Sequence, residues 1–585
     1  MHRMWTRIAI ALGQGVTLWW LYWSLDSGRW PGTHPGWMVG LAAPAVLVPV
    51  AHYLIEDLAP GRRARFALLP VAFALFGFGW HHGAWTAAEP YDDAFPFVLP
   101  LAVLVFHALP FLQSWLVTGR ARPVYRDLFE FAWRNALLLG FGGVFTGVLW
   151  LLLWLWGALF RMIGISFFVD LFTEAYFAIP ATAVAAGVGM QLAGSVERLQ
   201  SLLRSQLLTM LKWLAPLAIL ILALFTATLL AKSPELLMEQ RRVISAAWLL
   251  WLVALTVALL NAAYQDGSVQ APYPAWLGRA IRLVVPLLTL VAALALYAIT
   301  VRVQHYGLTV ARAWALLVAV IALAYAAGYT VSALRGRAWM AGIGPVNVGI
   351  AIGTVAMLSL MLSPLLSPER LAAAGQQKRV LTSREADAFA YLRFESGRYG
   401  RDRLRRLAEL QDHPDAAAIR EAAAAELRRE HRWDADGLGL PVTASLFDVY
   451  PAGRELEPEL LHAFDGMTAW QHVVRVCRVA DPCPVLLVDL DHDAADEALL
   501  FSPFGTVAAH NEGGRWIVGL LEMSGGAGLQ SIRKALAQGA YRVRDPRYQV
   551  LEVAGRTFLL DETRMQPKAD DCGGQPAGVT ARPCD

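Results

Sequence analysis

The sequence predicts a mainly α fold: a polytopic transmembrane helix bundle of about eleven spans, followed by a soluble α+β C-terminal domain. Three observations carry this. The 585-residue chain is 56% hydrophobic and only 17% charged, whereas soluble domains carry roughly 25% charged residues. Long apolar stretches, each near the roughly 20 residues that cross a bilayer as a helix, follow one another as far as residue 366. The charge balance then reverses: residues 1–366 hold 23 Lys and Arg against 14 Asp and Glu, and residues 367–585 hold 27 against 33. The two parts are suited to different solvents. The basic excess of the first sits in short loops, as membrane topology demands, and is no sign of nucleic-acid binding.

The spans fall near 5–25, 36–55, 66–86, 95–117, 135–160, 175–194, 213–231, 244–264, 283–301, 313–334 and 346–364. The first follows Arg3 and Arg7 as a signal peptide would. No small-x-small cleavage site comes after it, so it reads as a retained anchor. With the N-terminus cytoplasmic, the inside loops carry 16 Lys and Arg and the outside loops seven. That bias is the one expected for a bacterial inner-membrane protein, although Lys232, Arg241 and Arg242 run against it. An odd number of spans then places the C-terminal domain in the periplasm. Residues 124–134 and 196–212 have helical amphipathic spacing. They read equally as helices lying at the headgroups and as extensions of the adjoining spans.

All four cysteines, Cys477, Cys483, Cys572 and Cys584, lie in the C-terminal part. An even number confined to one domain suits disulfides in an oxidising compartment. The simplest of three connectivities pairs Cys477 with Cys483 and Cys572 with Cys584. The rival, a zinc site, lacks CxxC spacing.

Three regions follow from these patterns: a bundle over 1–366, a helical juxtamembrane segment over 367–440, and a small extracytoplasmic domain over 441–585. Helical periodicity covers Leu381–Leu410 and Ala416–Glu430. Beyond Pro441, short strands are expected at Val485–Val488, Ala498–Phe501, Gly505–His510 and Arg515–Leu521, with a hairpin turn at Glu512-Gly513-Gly514. A helix near Leu529–Gln538 and a hairpin around Ala554-Gly555 complete the domain.

The sharpest chemical cluster is the acidic run from Asp489 to Glu497. Asp489, Asp491, Asp493 and Glu497 can converge on one cation, and calcium takes six to eight hard oxygens of this kind. The run resembles the DLDGDGxDE loops of FG-GAP and related calcium-binding repeats, with His492 and Ala494 where those loops have glycine. The alternative is a solvated acidic turn. Calcium is the only cofactor the sequence suggests.

Within the spans, His107 is the one ionisable residue near mid-membrane, where such groups are costly and mark function. It is read either as a proton-coupling group or as a histidine satisfied by its surroundings. Pro100 and Pro110 flank it. His81 and His82, near the outer end of the third span, could line a shallow site. Gly140, Gly142, Gly143 and Gly147 in the fifth span, and Gly187, Gly189 and Gly194 in the sixth, suggest close helix packing. No HExxH, GxSxG or Walker sequence is present, so no catalytic residue is nominated.

Two further stretches stand out. The first is Arg302-Val-Gln-His305-Tyr306-Gly307-Leu308-Thr309-Val-Ala-Arg312, followed by Tyr325, Gly328 and Tyr329. The second is Phe389-Ala-Tyr391-Leu392-Arg393-Phe394-Glu-Ser-Gly397-Arg398-Tyr399-Gly400. Together they resemble bacterial membrane proteins of the domain-of-unknown-function family numbered 4153. The resemblance implies a multi-span inner-membrane protein and supplies no activity. On the residues alone, Arg302, Tyr306 and Arg312 form an outer loop suited to lipid phosphate, to acidic groups of the outer domain, or simply to solvent. Arg393 and Arg398, set among aromatics, suit an interfacial anchor. The functional expectation is a bundle that anchors a periplasmic domain binding an envelope component or partner. The alternative is a transporter or lipid-translocating protein gated by that domain. The bilayer itself is the one partner read directly, with an envelope protein or lipid as the other candidate.

Overall fold

The computed structural model describes residues 2–58, 62–86, 95–120, 122–194, 197–238, 245–269, 271–335, 339–383, 386–429, 442–465, 477, 482–502, 505–521, 529–543, 551–553 and 556–558. The chain forms two compact units, Met1–Arg428 and Arg429–Asp585. Cys572 and Cys584 and the Ala554-Gly555 turn lie outside the described residues.

The first unit is helical. Its elements are α1 (His2–Asp26), α2 (Pro35–Glu56), α3 (Arg62–His81) ending in a π-helical turn (His82–Thr86), α4 (Phe95–Thr118), α5 (Tyr125–Met162), α6 (Phe167–Thr173) and α7 (Ala175–Gly194). Next come α8 (Glu197–Met238), α9 (Ala246–Tyr264), α10 (Ala275–Val284), α11 (Leu287–Tyr306), α12 (Val310–Arg335) and α13 (Ile343–Leu362). Eleven described segments are long and apolar enough to cross a membrane, with α10 and α11 together forming the ninth, Ala275–Tyr306. This makes the chain a multi-pass membrane protein. Residues 125–134 and 197–212 run without a break into α5 and α8, so both are extensions of spans. At 1.5 Å per residue the 38 residues of α5 reach about 57 Å, nearly twice the ~30 Å hydrocarbon core.

Helix packing uses several of the expected glycines, Gly142 of α5 and Gly187, Gly189 and Gly194 of α7 among them, but not the GxxxG pair. A Cβ on Gly143 or Gly147 would meet nothing within 4 Å, so the GxxxG of α5 seats no neighbour. Gly142 is the contact: a Cβ there would lie 2.8 Å from Met190 of α7, and one on Gly189 would lie 3.0 Å from Gly142. Among the described spans the backbones approach most closely between α2 and α3 with its π-helical turn. Cβ atoms on Gly79 and Gly83 would fall 2.4 Å from the Val39 carbonyl and 2.2 Å from that of Pro35. Gly36 and Gly40 face them from α2 at the same i, i+4 spacing, which lets the two backbones touch.

Polar side chains inside the bundle pair with one another. Arg7 of α1, only 2% exposed, donates to Glu56 at 2.9 Å and to Asp57 at 2.7 Å, and Arg134 of α5 reaches Asp57 at 3.3 Å. Gln113 and Asn135 exchange hydrogen bonds at 2.9 and 2.8 Å. In the other half, the Tyr329 hydroxyl lies 2.8 Å from Asn261 and from Asn347, and Asn347 donates to Asn261 at 2.6 Å. These contacts join helices where lipid offers no alternative partner.

Four more helices follow the last span within the same unit: α14 (Pro368–Ser383), α15 (Ala386–Phe394), α16 (Gly397–Ala408) and α17 (Ala416–Arg428). They bury a core of their own, including Val380, Leu392, Leu404 and Ile419.

The second unit holds a five-stranded sheet in the order β1 (Phe447–Tyr450), β2 (Cys483–Val488), β3 (Glu497–Ser502), β4 (Gly505–Glu512), β5 (Arg515–Leu521). β1 runs parallel to β2, and the rest form an antiparallel meander. The crossover from β1 carries α18 (Pro458–Asp465). Alternate residues Val485, Leu487, Ala498, Leu500, Val507 and Ala509 bury one face against Leu460 and Phe464 of α18, the period-two pattern of a half-covered sheet. Cys477 and Cys483 form a disulfide within this core. α19 (Leu529–Ala537) and a short hairpin, β6 (Leu551–Val553) with β7 (Arg556–Phe558), complete the unit.

Candidate functional site

An apolar cleft of about 350 Å³ opens between α2 and α4. Val39, Ala43 and Leu47 line it from α2, Phe97 and Leu101 from α4, and His82 and Gly83 close one end. Val46 and Val98, which also line it, are exposed on the bundle surface, so the cleft opens sideways. From Pro35 to Leu47, α2 advances about 18 Å, close to the ~15 Å depth of one leaflet's hydrocarbon.

A second, polar pocket of about 20 Å³ adjoins it, with room for one water-sized group. His82 and Phe97 line both spaces, their rings stacked at 4.3 Å. The other polar lining groups are His81, Thr86 and Glu369. His81 is 3% exposed and fixed at both nitrogens. The Leu362 carbonyl, 3.1 Å from Nδ1, only accepts, so Nδ1 carries the hydrogen. Nε2 then accepts from the Tyr399 hydroxyl at 2.9 Å. Burial pushes the Tyr399 phenol up, with Glu369 adding to this and Arg370 opposing it, which keeps the hydroxyl protonated as that donor. His82 is held by Thr86, four residues on in the π-helical turn.

Glu369 stands in the first turn of α14 and bonds to the hydroxyl of Ser367. Burial raises its carboxyl pKa, and the Ser367 hydroxyl works against that rise. A carboxyl raised in the folded state costs stability while ionised. The cost is present above the folded-state pKa and disappears as pH falls through it toward the unfolded value of about 4.3. Glu369→Gln is therefore expected to melt higher than the parent at neutral pH. The gap should close toward about pH 4, as thermal unfolding in detergent across that range would show.

The two stretches that carry the family resemblance are brought together beside this site. The Tyr391 hydroxyl accepts from the Val310 amide at 2.7 Å. Arg312 donates to the carbonyls of Tyr306 and Gly307 at 3.1 and 2.7 Å, and Arg379 to that of Tyr306 at 2.6 Å. Gln376 donates to the Leu308 carbonyl at 3.0 Å. Arg312 thus satisfies the open C-terminal carbonyls of α11 and stacks on Tyr306 at 5.5 Å. Arg302 is exposed. Arg393 lies over Phe394 at 5.0 Å and Arg398 over Trp85 at 4.6 Å. Gly397, at φ +56°, sits where a Cβ would fall 2.5 Å from the Thr86 carbonyl. The start of α16 is thereby seated on the π-helical turn.

His107 is not part of this site. Its Nδ1 bonds to the Val103 carbonyl one turn back in α4 at 2.9 Å. In the second unit, Asp489, Asp491 and Asp493 bring their carboxylates within 4.8 Å of one another. Asp489 accepts from the amides of His492 and Ala494 at 2.7 and 3.1 Å, and Glu497 from that of Leu490 at 2.6 Å. His492 and Ala494 have φ of +65° and +70°, so the loop takes a left-handed backbone at both positions where the loops it resembles carry glycine. Ala494→Gly should therefore stabilise this unit by about 0.5–1 kcal/mol. Slower hydrogen exchange across β2 and β3 would register the gain.

Sequence reading singled out His81 and His82 but not Glu369, and placed Tyr399 at an interface without linking it to His81. Nor did it anticipate the cleft, whose lining is indistinguishable in sequence from lipid-facing residues. No protein-family model, no curated protein and no solved structure matches this chain.

Proposed function

We propose that this is a lipid-handling protein of the bacterial inner membrane that holds an outer-leaflet acyl chain in the cleft between α2 and α4. The N-terminus is cytoplasmic, and the α14–α17 helices and the disulfide-bonded sheet domain are periplasmic. In this reading the chain belongs with the family-4153 proteins it resembles. One observation carries the proposal: a one-leaflet-deep apolar cleft opens at the bundle surface and ends on the polar His81–His82–Glu369 pocket. An amphiphile needs that sequence of environments, with hydrocarbon against apolar walls and a polar end near water. Membrane-level placement favours the lipid alternative over partner capture by the sheet domain, and the occupied nitrogens of His81 suit positioning rather than proton transfer.

The test is photocrosslinking in membranes with a phospholipid carrying a diazirine in one acyl chain. Crosslinks are expected on α2 between Met38 and Leu47 and on α4 between Val98 and Ala102, and Ala42→Trp/Ala102→Trp should abolish them. Crosslinks spread evenly over the exposed spans, unchanged in the tryptophan variant, would show that no lipid is held there.

A further inference from the structure

A second space, of about 360 Å³, lies between α1, α2 and α7. Gln14 and Leu18 line it from α1, Val50 and Tyr53 from α2, and Thr182 and Ala186 from α7. Met190, which is buried, gives it a floor. Thr182 is exposed on the bundle surface, so this cleft too opens sideways.

The two clefts share one face of α2. Pro35, Val39, Ala42 and Val46 line the first, and Val50 and Tyr53 the second. Steps of three or four residues keep all six on one stripe of the helix. From Pro35 to Tyr53 that stripe advances about 27 Å, most of the ~30 Å hydrocarbon core. The clefts meet at Gln14, which lines the second and donates at 3.0 Å to the carbonyl of Val46, a lining residue of the first. The far end of the second cleft is polar. There the Tyr53 hydroxyl donates to the Arg7 carbonyl at 3.4 Å, and Arg7 pairs with Glu56 and Asp57. Met190 stands one turn from Gly194, where a Cβ would lie 3.3 Å from the Asp57 carboxylate. The second cleft thus mirrors the first, with apolar walls toward mid-membrane and polar groups at the opposite end of α2 from the His81–His82–Glu369 pocket.

We propose that the α1–α2–α7 cleft holds an acyl chain of a cytoplasmic-leaflet phospholipid, so that α2 carries one chain from each leaflet on a single face. This rests on the lipid reading of the α2–α4 cleft and the orientation given with it, and adds the second leaflet. A lateral mouth admits what is dissolved in the bilayer. From Ala178 to Met190, both lining residues, α7 advances about 18 Å, close to the ~15 Å depth of one leaflet. Arg7 and Arg134 are balanced at the polar end by Glu56 and Asp57, so the hold is on the chain and the headgroup is not selected by charge. An amide is a poor neighbour for the middle of a hydrocarbon chain. Gln14 at the junction therefore suits two chains that end there, rather than one chain running through both clefts.

Photocrosslinking of the full-length protein in membranes, with phosphatidylcholine carrying a diazirine in one acyl chain, tests this. The parent should give crosslinks on α1 between Gln14 and Leu18 and on α7 between Ala178 and Met190, besides those on α2 and α4. Ala186→Trp should remove the α1 and α7 crosslinks and leave those of the α2–α4 cleft, which also shows that the variant is folded. Val50→Trp, on the opposite wall, should do the same. Ala42→Trp/Ala102→Trp should do the reverse. Crosslinks in the α2–α4 cleft alone overturn the second site and leave the first standing. Crosslinks on α1 and α7 alone overturn the reading of the first cleft, and with it the pairing of leaflets on α2. Crosslinks on α1 and α7 that survive both Ala186→Trp and Val50→Trp show labelling of an ordinary lipid-facing surface and overturn the site. Loss of both sets in all three variants, with thermal unfolding in detergent unchanged, overturns it in favour of one long chain that fills both clefts.

Discussion

Arg7→Gln is expected to destabilise the bundle by about 3 kcal/mol, the low end for breaking a buried ion pair. The side chains involved are 3% exposed for Arg7, 17% for Glu56 and 27% for Asp57, so desolvation is substantial but incomplete for the acids. Arg7 links α1 to the end of α2 through this cluster. Without it Asp57 keeps Arg134, whereas Glu56 keeps only His52 at 3.8 Å. Most of the loss therefore comes from one stranded carboxylate rather than from a missing attraction. Adding Glu56→Gln to the variant should recover more than half of the drop. Thermal unfolding of the purified protein in one detergent measures both; a double variant no more stable than the single one would mean that Glu56 is solvated without Arg7.

Gly400→Ala should cost a similar amount, about 3 kcal/mol, through overpacking rather than charge. A Cβ at this position would stand 2.1 Å from the Leu392 carbonyl oxygen and 2.5 Å from the Ser396 side chain. Backbone cannot yield as the end of a side chain does. The expected consequence is local: α15 and α16 separate and the Tyr399–His81 bond is lost, while the spans persist. Limited proteolysis should cut between residues 386 and 408 in the variant under conditions that leave the parent intact. Equal resistance of the two proteins would show that α15 shifts to admit the methyl group.

The spans were legible because a bilayer imposes length and apolarity on every residue of a segment, and hydropathy reads both. Which helices touch was not. The GxxxG of α5 is a genuine sequence pattern, but Gly143 and Gly147 face no neighbour, while Gly36, Gly40, Gly79 and Gly83 form the closest backbone approach among the described spans. Spacing along one helix says that a smooth face exists, not what meets it. The strands β2 to β5 were legible from alternation and turn residues. β1 was not, because Phe447–Tyr450 is four residues long and finds its parallel partner only after the α18 crossover.

The candidate site shows the same division. His81 and His82 drew notice as polar residues at a span end, yet Tyr399 is 318 residues from His81, and no local pattern connects them. Arg312 was read as a loop cation open to lipid or acid. In the structure it satisfies the carbonyls that end α11, a need that follows from helix geometry but cannot be assigned to a particular arginine in advance. The acidic loop was the converse case: its carboxylates converge as their spacing suggests, while His492 and Ala494 accept a left-handed backbone that their side chains disfavour.

All of the lipid reading depends on which face of the membrane carries α14–α17 and the sheet domain. The most direct test is compartment-specific thiol labelling of intact cells, reading Cys477 and Cys483, with and without reductant. The account predicts that an impermeant maleimide labels them from outside only after reduction, as periplasmic disulfide cysteines. Labelling without reductant, and only in opened cells, would place free thiols in the cytoplasm; the orientation would then be reversed and the outer-leaflet site with it.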